Sequence, residues 1–258
     1  MNAGLDRRGW LKAGLASAGA LVLGACDKIT NSAKGVAVLQ SAEGLTRRVQ
    51  RLVIDRKALA REFRPADISP DFRPNGSTDP QDPDYVAHRK AGFADFRLVV
   101  DGLVERPLSL SLADLRAQPS RSQITRHDCV EGWSSIAKWT GARLGPLLDQ
   151  AGLKPNARYI VFHCGDTLEE TTDGTGKYYE SIDLIDAHHP QTILAYAMND
   201  QPLPVAHGAP LRLRVERQLG YKQAKYIQRI EAVADYGDLH QGQGGFWEDR
   251  GYEWYAGI

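Results

Sequence analysis

Apolar positions change period along this chain. In "LTRRVQRLVIDRKALAREF" (45–63) they recur at helical spacing, which predicts a helix running up to Pro65. The next stretch, "RPADISPDFRPNGSTDPQDPDY" (64–85), is crowded with Pro, Asp, Asn and Gly and predicts a long loop, structured or disordered. Loops of that length in compact proteins tend to carry function. After Phe93 the pattern breaks into short strand-like runs: "FRLVVDGL", "PLSLSL", "RSQITRHD", "RYIVFHCG", "YYESIDL", "QTILAYAMN", "PLRLRVER" and "KYIQRIEAV". Two short helices are expected between them, "LADLRAQ" and "LGPLLDQAGL", the second closed by Gly152. Irregular spacing and frequent turns predict a mixed α+β domain, mostly β, with much antiparallel sheet rather than alternating βαβ units. In "PLRLRVER" a period of two puts Leu211, Leu213 and Val215 on one face and Arg212, Arg214 and Glu216 on the other.

The N-terminal end has a different character. Residues 6–26, "DRRGWLKAGLASAGALVLGAC", pair two arginines with a moderately apolar stretch, shorter than the roughly 20 residues needed to span a bilayer. This reads as an export signal. Arg7-Arg8-Gly9-Trp10-Leu11-Lys12 resembles a twin-arginine signal, and Leu23-Gly24-Ala25-Cys26 resembles a bacterial lipobox. Cleavage before Cys26 and acylation of that residue would tether the remainder, each buried methylene contributing about 0.8 kcal/mol. Asp27 resembles the signal that retains lipoproteins in the inner membrane.

The expected organisation is therefore a signal peptide (1–25), a tether (26–43), a helix and long loop (44–92), and a main body (93–258). The expected setting is the periplasm, on the inner membrane, as a monomer. The last residues, "GQGGFWEDRGYEWYAGI", form a Gly- and aromatic-rich strap expected to pack over the body. Charge narrows the function further. Of 32 basic and 32 acidic residues, the signal removes Arg7, Arg8, Lys12 and Asp6, leaving a slight acidic excess. Nucleic acid is not an expected partner, because its binders carry basic patches.

Chemistry concentrates at "RHDCVEGWS" (126–134). Apart from Cys26, the only cysteines are Cys129 and Cys164, and three readings stand side by side. An oxidising compartment makes a Cys129–Cys164 disulfide in a non-enzymatic binding lipoprotein possible. A nucleophilic Cys129 would draw on His127 or Glu131 as base. A metal centre could use Cys129, with His163 and Cys164 or His188 and His189 as further ligands, although zinc-like spacings are missing. Thiolate also suits softer metals, and a single protein thiolate suffices where a cofactor brings its own sulfurs.

A cofactor of that kind needs groups to hold an anion, and "HGAPLRLRVERQLGYKQAKYI" (207–227) offers them. Arg212 can clamp a phosphate with its fork, while Lys222 and Lys225 add point charges beside exposed backbone amides. Taken singly, each of these is equally a solvated charge on a strand face.

Together the two segments resemble the sulfite oxidase superfamily of molybdopterin enzymes. The matching motifs are Cys129-Val130-Glu131 with Trp133-Ser134, "WTGARLGPLLDQAG", and "HHPQTILAYAMNDQPLPVAHGAPLRLRVERQLGYKQAKYI", spanning about Phe93 to Val233. The resemblance implies the mostly β, mixed sulfite-oxidase fold in one catalytic domain, with a molybdenum–molybdopterin cofactor. It implies Cys129 as the molybdenum ligand, Arg212 on the pterin phosphate, and Gln223, Ala224 and Lys225 beside it. Cys164 falls where relatives place a small hydroxyl residue near the pterin. His207 replaces an asparagine and could still donate one hydrogen bond. The early pterin contacts have Asn75 and Gly76 as candidates, and a counterpart of the sulfite oxidases' C-terminal dimerisation domain is not expected in the residues after Val233.

The implied activity is two-electron oxygen-atom transfer on a small or protein-bound S- or N-oxide, sulfoxide reductase-like, with a sulfite-oxidase-type dehydrogenase as alternative. A membrane haem protein or cytochrome would exchange the electrons. Glu131 is the candidate for shaping the substrate side or handling a proton, its other reading being a surface salt bridge. Trp133 is expected to pack, and Arg126 to border the metal.

Overall fold

The computed structural model describes residues 32–258; the expected signal, Cys26 and Asp27 lie outside the described residues. The chain divides into two units, residues 1–53 and 54–258. In the first, helix α1 (Ala33–Val53) occupies part of the segment expected to be a tether. No helix among the described residues is long and apolar enough to cross a membrane.

The helix expected up to Pro65 stops ten residues short of Phe63, at Val53. Residues 58–63 instead run extended, because their backbone groups find partners elsewhere: Phe63 N–H donates to the Ile124 carbonyl (2.8 Å), and Ala60 exchanges bonds with the Gln191 side chain (2.8 and 3.0 Å). Tertiary hydrogen bonds here outweigh the local helical pattern. The loop that follows is ordered and ends in α2 (Pro83–Lys90), capped by Asp82, whose carboxylate accepts from the Asp84 and Tyr85 amides.

Beyond it lie β1 (Leu98–Gly102), β2 (Leu108–Leu110), α3 (Leu112–Ala117), β3 (Ser120–Asp128), β4 (Ser134–Arg143) and α4 (Leu144–Ala151). Then come β5 (Tyr159–Thr167), β6 (Lys177–Asp183), α5 (Leu184–Ala187), β7 (Ile193–Met198), β8 (Gln201–Pro202), β9 (Arg212–Arg214) and β10 (Ile227–Val233). All eight expected strand runs are present, although "PLRLRVER" yields only three strand residues. The ten-residue β4 was not anticipated. Helix α3 opens on a capping box, Ser111 with Asp114, and α4 closes where Gly152 turns left-handed at φ 73°.

The strands form two five-stranded sheets. One runs β2-β1-β10-β5-β6, with β1 and β10 parallel and its other neighbours antiparallel. The other runs β3-β4-β7-β8, with β9 also pairing β7. The main core gathers Leu98 and Val100 of β1, Ile160 and Phe162 of β5, Ile230 of β10 and the apolar face of α4, where Leu144, Leu147 and Leu148 are fully buried. Each such leucine contributes about 1.5–3 kcal/mol. A smaller cluster around Trp139, Phe72 and Met198 fills the second sheet's other side.

Candidate active site

Strands β3 and β4 form a hairpin whose turn is the cysteine segment. Asp128 pairs with Ser134, the Cys129 amide donates to the Trp133 carbonyl (2.9 Å), and Gly132 takes φ 84°, which a side-chain-bearing residue adopts poorly. The turn thus places Cys129 just past the strand, half-buried, with Val130 exposed beside it.

Cys129, Val130 and Glu131 line a cleft of about 140 Å³ that opens to solvent. Its other walls come from Asn75–Ser77 in the long loop, Asp166 and Leu168 at the end of β5, Tyr178 of β6, and Gly220, Tyr221, Gln223 and Lys225 between β9 and β10. Trp247 and Tyr252 of the C-terminal strap complete it.

The alternation read in "PLRLRVER" holds, but its charged face is not solvated: Arg212, Arg214 and Glu216 are as buried as the leucines. Arg214 pairs with Glu216 (2.6 and 2.9 Å) and lies over the Trp139 ring at 4.5 Å. Arg212 has no such carboxylate. It donates to Asn75 Oδ1 (3.2 Å) and the His207 carbonyl (3.3 Å), and its Nε is unsatisfied. Lys225 likewise donates only to carbonyls, those of Asn75 (2.6 Å), Ser77 and Ala206 (3.2 Å). Gly208, at φ 111°, lets the backbone close on both; a Cβ there would lie 3.0 Å from Lys225 and 3.3 Å from Arg212.

Two buried cations side by side with no carboxylate in hydrogen-bond contact are costly. Burial and the adjacent Arg214 pull Arg212 down to about 9, and burial and Arg212 pull Lys225 down to about 7. Burial pushes Asp166 up to about 7 against the pull of Lys225, and its Oδ1 lacks a partner. Unsatisfied donors and uncompensated positive charge fit a phosphate-bearing group, and Cys129 supplies a thiol at the same cleft. The donor set matches the cofactor that the sequence resemblance implies.

Other candidates take up different positions. Asn75, Gly76 and Gln223 line the cleft. Ala224 and Cys164 are buried outside its lining, Cys164 with its thiol pushed well up by burial. His207 is half-buried, edge-on to Phe72 at 5.4 Å, and held down at about 4 by burial, Arg212 and Lys225; its Nδ1 is unsatisfied. Glu131 is exposed at the mouth, accepting from Trp133 Nε1 (2.9 Å) and lying 3.7 Å from Arg73.

Three readings are corrected. Both cysteines are free thiols, which removes the Cys129–Cys164 disulfide and the binding lipoprotein built on it. Lys222 does not face an anion: fully buried, it sits between Glu180 and Glu248 at 2.5 Å from each. Arg126 turns from Cys129 to pair with Asp128 (2.8 Å), beside a separate groove lined by Ala60, Thr125 and Glu216. The nucleophile reading fares no better. Burial pushes the Cys129 thiol up, whereas an attacking thiolate needs it lowered. His127 is fully buried, its Nδ1 turned to Gln223 (3.4 Å) and Arg214 (3.3 Å), so it is no base for that thiol. His163, His188 and His189 bond to Glu231, Asp149 and the Ala58 carbonyl, and no group of metal-ligating side chains gathers among the described residues.

Asp166, Tyr178, Trp247 and Tyr252 were not anticipated at the site. Only the aromatic density of the strap hinted at the last two.

Residues 85–240 match the family model described as "oxidoreductase molybdopterin binding domain". A protein from Azospira oryzae, named as a protein-methionine-sulfoxide reductase subunit, is 41% identical over 169 residues, 66% of this chain and 58% of that one. The protein-methionine-sulfoxide reductase catalytic subunit of Xanthomonas axonopodis pv. citri is 36% identical over 165 residues, 60% of this chain and 50% of that one. This chain therefore spans between half and three fifths of these curated relatives. Among solved structures, the sulfane dehydrogenase SoxCD from Paracoccus pantotrophus aligns over 55% of this chain and 39% of its own at 23% identity, TM-score 0.48.

Proposed function

The chain belongs to the oxidoreductase molybdopterin-binding domain family, and from that premise we propose that it is an exported enzyme reducing sulfoxides, protein-bound methionine sulfoxide among them. The observation that carries the reading is a half-buried Cys129 thiol sharing one cleft with Asn75 and buried Lys225, while Arg212, buried behind the lining, donates to Asn75 and has no carboxylate partner. When bound, the molybdenum–molybdopterin group supplies two-electron oxygen-atom transfer. Cys129 would hold the metal as thiolate, and the proton leaves the thiol on binding. Arg212 and Lys225 would hold the phosphate, and Asn75 would orient the guanidinium that does so.

The lining near the thiol supports a neutral substrate. Val130, Leu168, Trp247 and Tyr252 are apolar or aromatic, and the charged residues among the lining are Glu131, Asp166 and Lys225. With no arginine lining the cleft and Lys225 assigned to the phosphate, a small oxyanion such as sulfite lacks the converging cations it needs. An uncharged sulfoxide needs only an apolar wall that excludes water. Glu131 at the mouth adds repulsion against anions. The relatives' names carry the same substrate class.

Export by the twin-arginine route, a lipid anchor at Cys26 in the inner membrane and a membrane haem protein or cytochrome as electron donor belong to the same proposal. Their support is the pattern of residues 6–26. The direct test is turnover of the purified protein with a reduced viologen dye and methionine sulfoxide, which should oxidise the dye. Sulfite-dependent reduction of an electron acceptor, with no sulfoxide turnover, would favour the dehydrogenase reading instead.

A further inference from the structure

The C-terminal part of helix α1 carries four exposed apolar side chains on one arc. Leu45, Val49, Leu52 and Val53 fall at i, i+4, i+7 and i+8, within one narrow arc of a 3.6-residue helix. They are 62%, 49%, 85% and 79% exposed, well beyond what a scattering of surface leucines explains. Arg48 lies next to Leu52 around the helix, while Arg47 and Arg51 fall on the opposite, polar face. No acidic residue stands between Leu45 and Val53.

We propose that α1 lies flat in the headgroup layer of an anionic membrane, with Leu45, Val49, Leu52 and Val53 in the acyl boundary and Arg48, at the edge of that arc, among the phosphates. Three features choose a lipid surface over a protein partner. Arginine on the polar face opposite an apolar arc, with low overall hydrophobicity, is the composition of interfacial helices. Arginine stems can lie along the apolar layer while their heads reach the phosphates. Geometry permits it as well: the Cys26 lipobox precedes Ala33 by seven residues, and an extended link of that length spans at most about 25 Å. That last point rests on the lipid anchor proposed above; the stripe and its arginines do not.

The consequence is that attachment has two signals, an acyl anchor and a surface helix, as stable attachment generally requires. The domain would then be held close to the plane in which a membrane electron donor sits.

Flotation of the full-length protein carrying Cys26→Ser with vesicles separates the helix from the acyl chain. Comparing variants on that same background cancels any contribution from residues 1–31. With vesicles of phosphatidylcholine and phosphatidylglycerol, the Cys26→Ser protein should float, and should do so several-fold less with phosphatidylcholine alone. Adding Leu45→Asp and Leu52→Asp should cut the bound fraction at least about tenfold, since each buried leucine is worth on the order of that factor. Circular dichroism reports whether the helix survives these changes. Arg48→Glu, which leaves the apolar stripe intact, should lower binding to the anionic vesicles only. No flotation, equal flotation with both lipids, or flotation insensitive to the leucine changes overturns the proposal. So does self-association that the leucine changes abolish without any vesicle binding. If flotation behaves as expected while wild-type protein carries no acyl group at Cys26, the anchor reading fails and the helix proposal stands.

Discussion

Arg212 Nη2 donates to Asn75 Oδ1 at 3.2 Å, joining residues 137 positions apart: one on a buried strand, the other in the proline-rich loop. Lys225 reinforces the junction through the carbonyls of Asn75 and Ser77, and the Tyr226 hydroxyl donates to the Ser77 carbonyl at 2.9 Å. The loop is therefore part of the cationic cradle. Its many prolines limit the entropy lost in holding it there.

Arg212→Lys keeps a positive charge but loses the fork that holds both Asn75 and a phosphate. One hydrogen bond to a charged group is worth about 1.5–3 kcal/mol, so retention of the cofactor should fall about ten- to a hundredfold. Molybdenum and organic phosphate per chain, measured after dialysis, report it. Retention unchanged in Arg212→Lys would place the phosphate elsewhere.

The cradle should also titrate. Lys225 is held near 7 by burial and Arg212, so its charge is present below that pH and lost above it. Asp166, raised to about 7 by burial, becomes an anion over the same interval. Both changes disfavour a bound anion as pH rises. Affinity of cofactor-free protein for sulfate, which stays a dianion throughout, should therefore fall several-fold between about pH 6 and pH 8. Lys225→Arg, which stays charged, should flatten much of that slope in a calorimetric titration.

How much of this was legible in the sequence depended on what each residue faced. The β5 run could be read because Ile160, Val161 and Phe162 are consecutive, apolar and buried on both faces, and the β10 run because buried Ile230 and Ala232 alternate with Arg229 and Glu231. Strand β4 escaped because "SSIAKWTGAR" mixes small, polar and aromatic residues; its alternation is clear only once Ala137 and Trp139 are seen buried in the second cluster. Arg212 and Lys225 were found through spacing and resemblance. Lys222, three residues from Lys225, was misread as a phosphate contact because its partners Glu180 and Glu248 come from distant segments. Nothing local distinguishes a lysine in a buried ion cluster from one facing a ligand. Asp166 was missed for the same reason.

Lys222→Met should show what that buried cluster does. It would leave Glu180 and Glu248 facing each other without a cation, and breaking such a group costs about 3–5 kcal/mol. Lys222 is itself pushed above its ordinary value: burial opposes its charge, but the two carboxylates more than compensate. Adding Glu248→Gln should recover part of the loss in a urea melt, since one carboxyl can then remain protonated. Because Glu248 belongs to the strap, the single variant should also loosen the wall made by Trp247 and Tyr252.

Gly220→Ala tests the packing behind the cysteine turn. The new Cβ would lie 2.3 Å from His127 Cε1 and 3.1 Å from the Asp128 carbonyl oxygen. Something must move, at about 1–3 kcal/mol for an overpacked site. His127 is wedged by Phe72, Trp133 and Arg214, so the strain should pass to the turn that carries Cys129. Lower thermal stability together with reduced molybdenum content is the expected outcome.

The central claim is that Cys129 binds molybdenum in the cleft it shares with Lys225. X-ray absorption at the molybdenum edge, on wild-type protein and on Cys129→Ser, tests it most directly. The account predicts molybdenum in the wild type and one fewer sulfur neighbour, or loss of the metal, in the variant. An identical sulfur shell in both proteins, or a wild type without molybdenum, would contradict it.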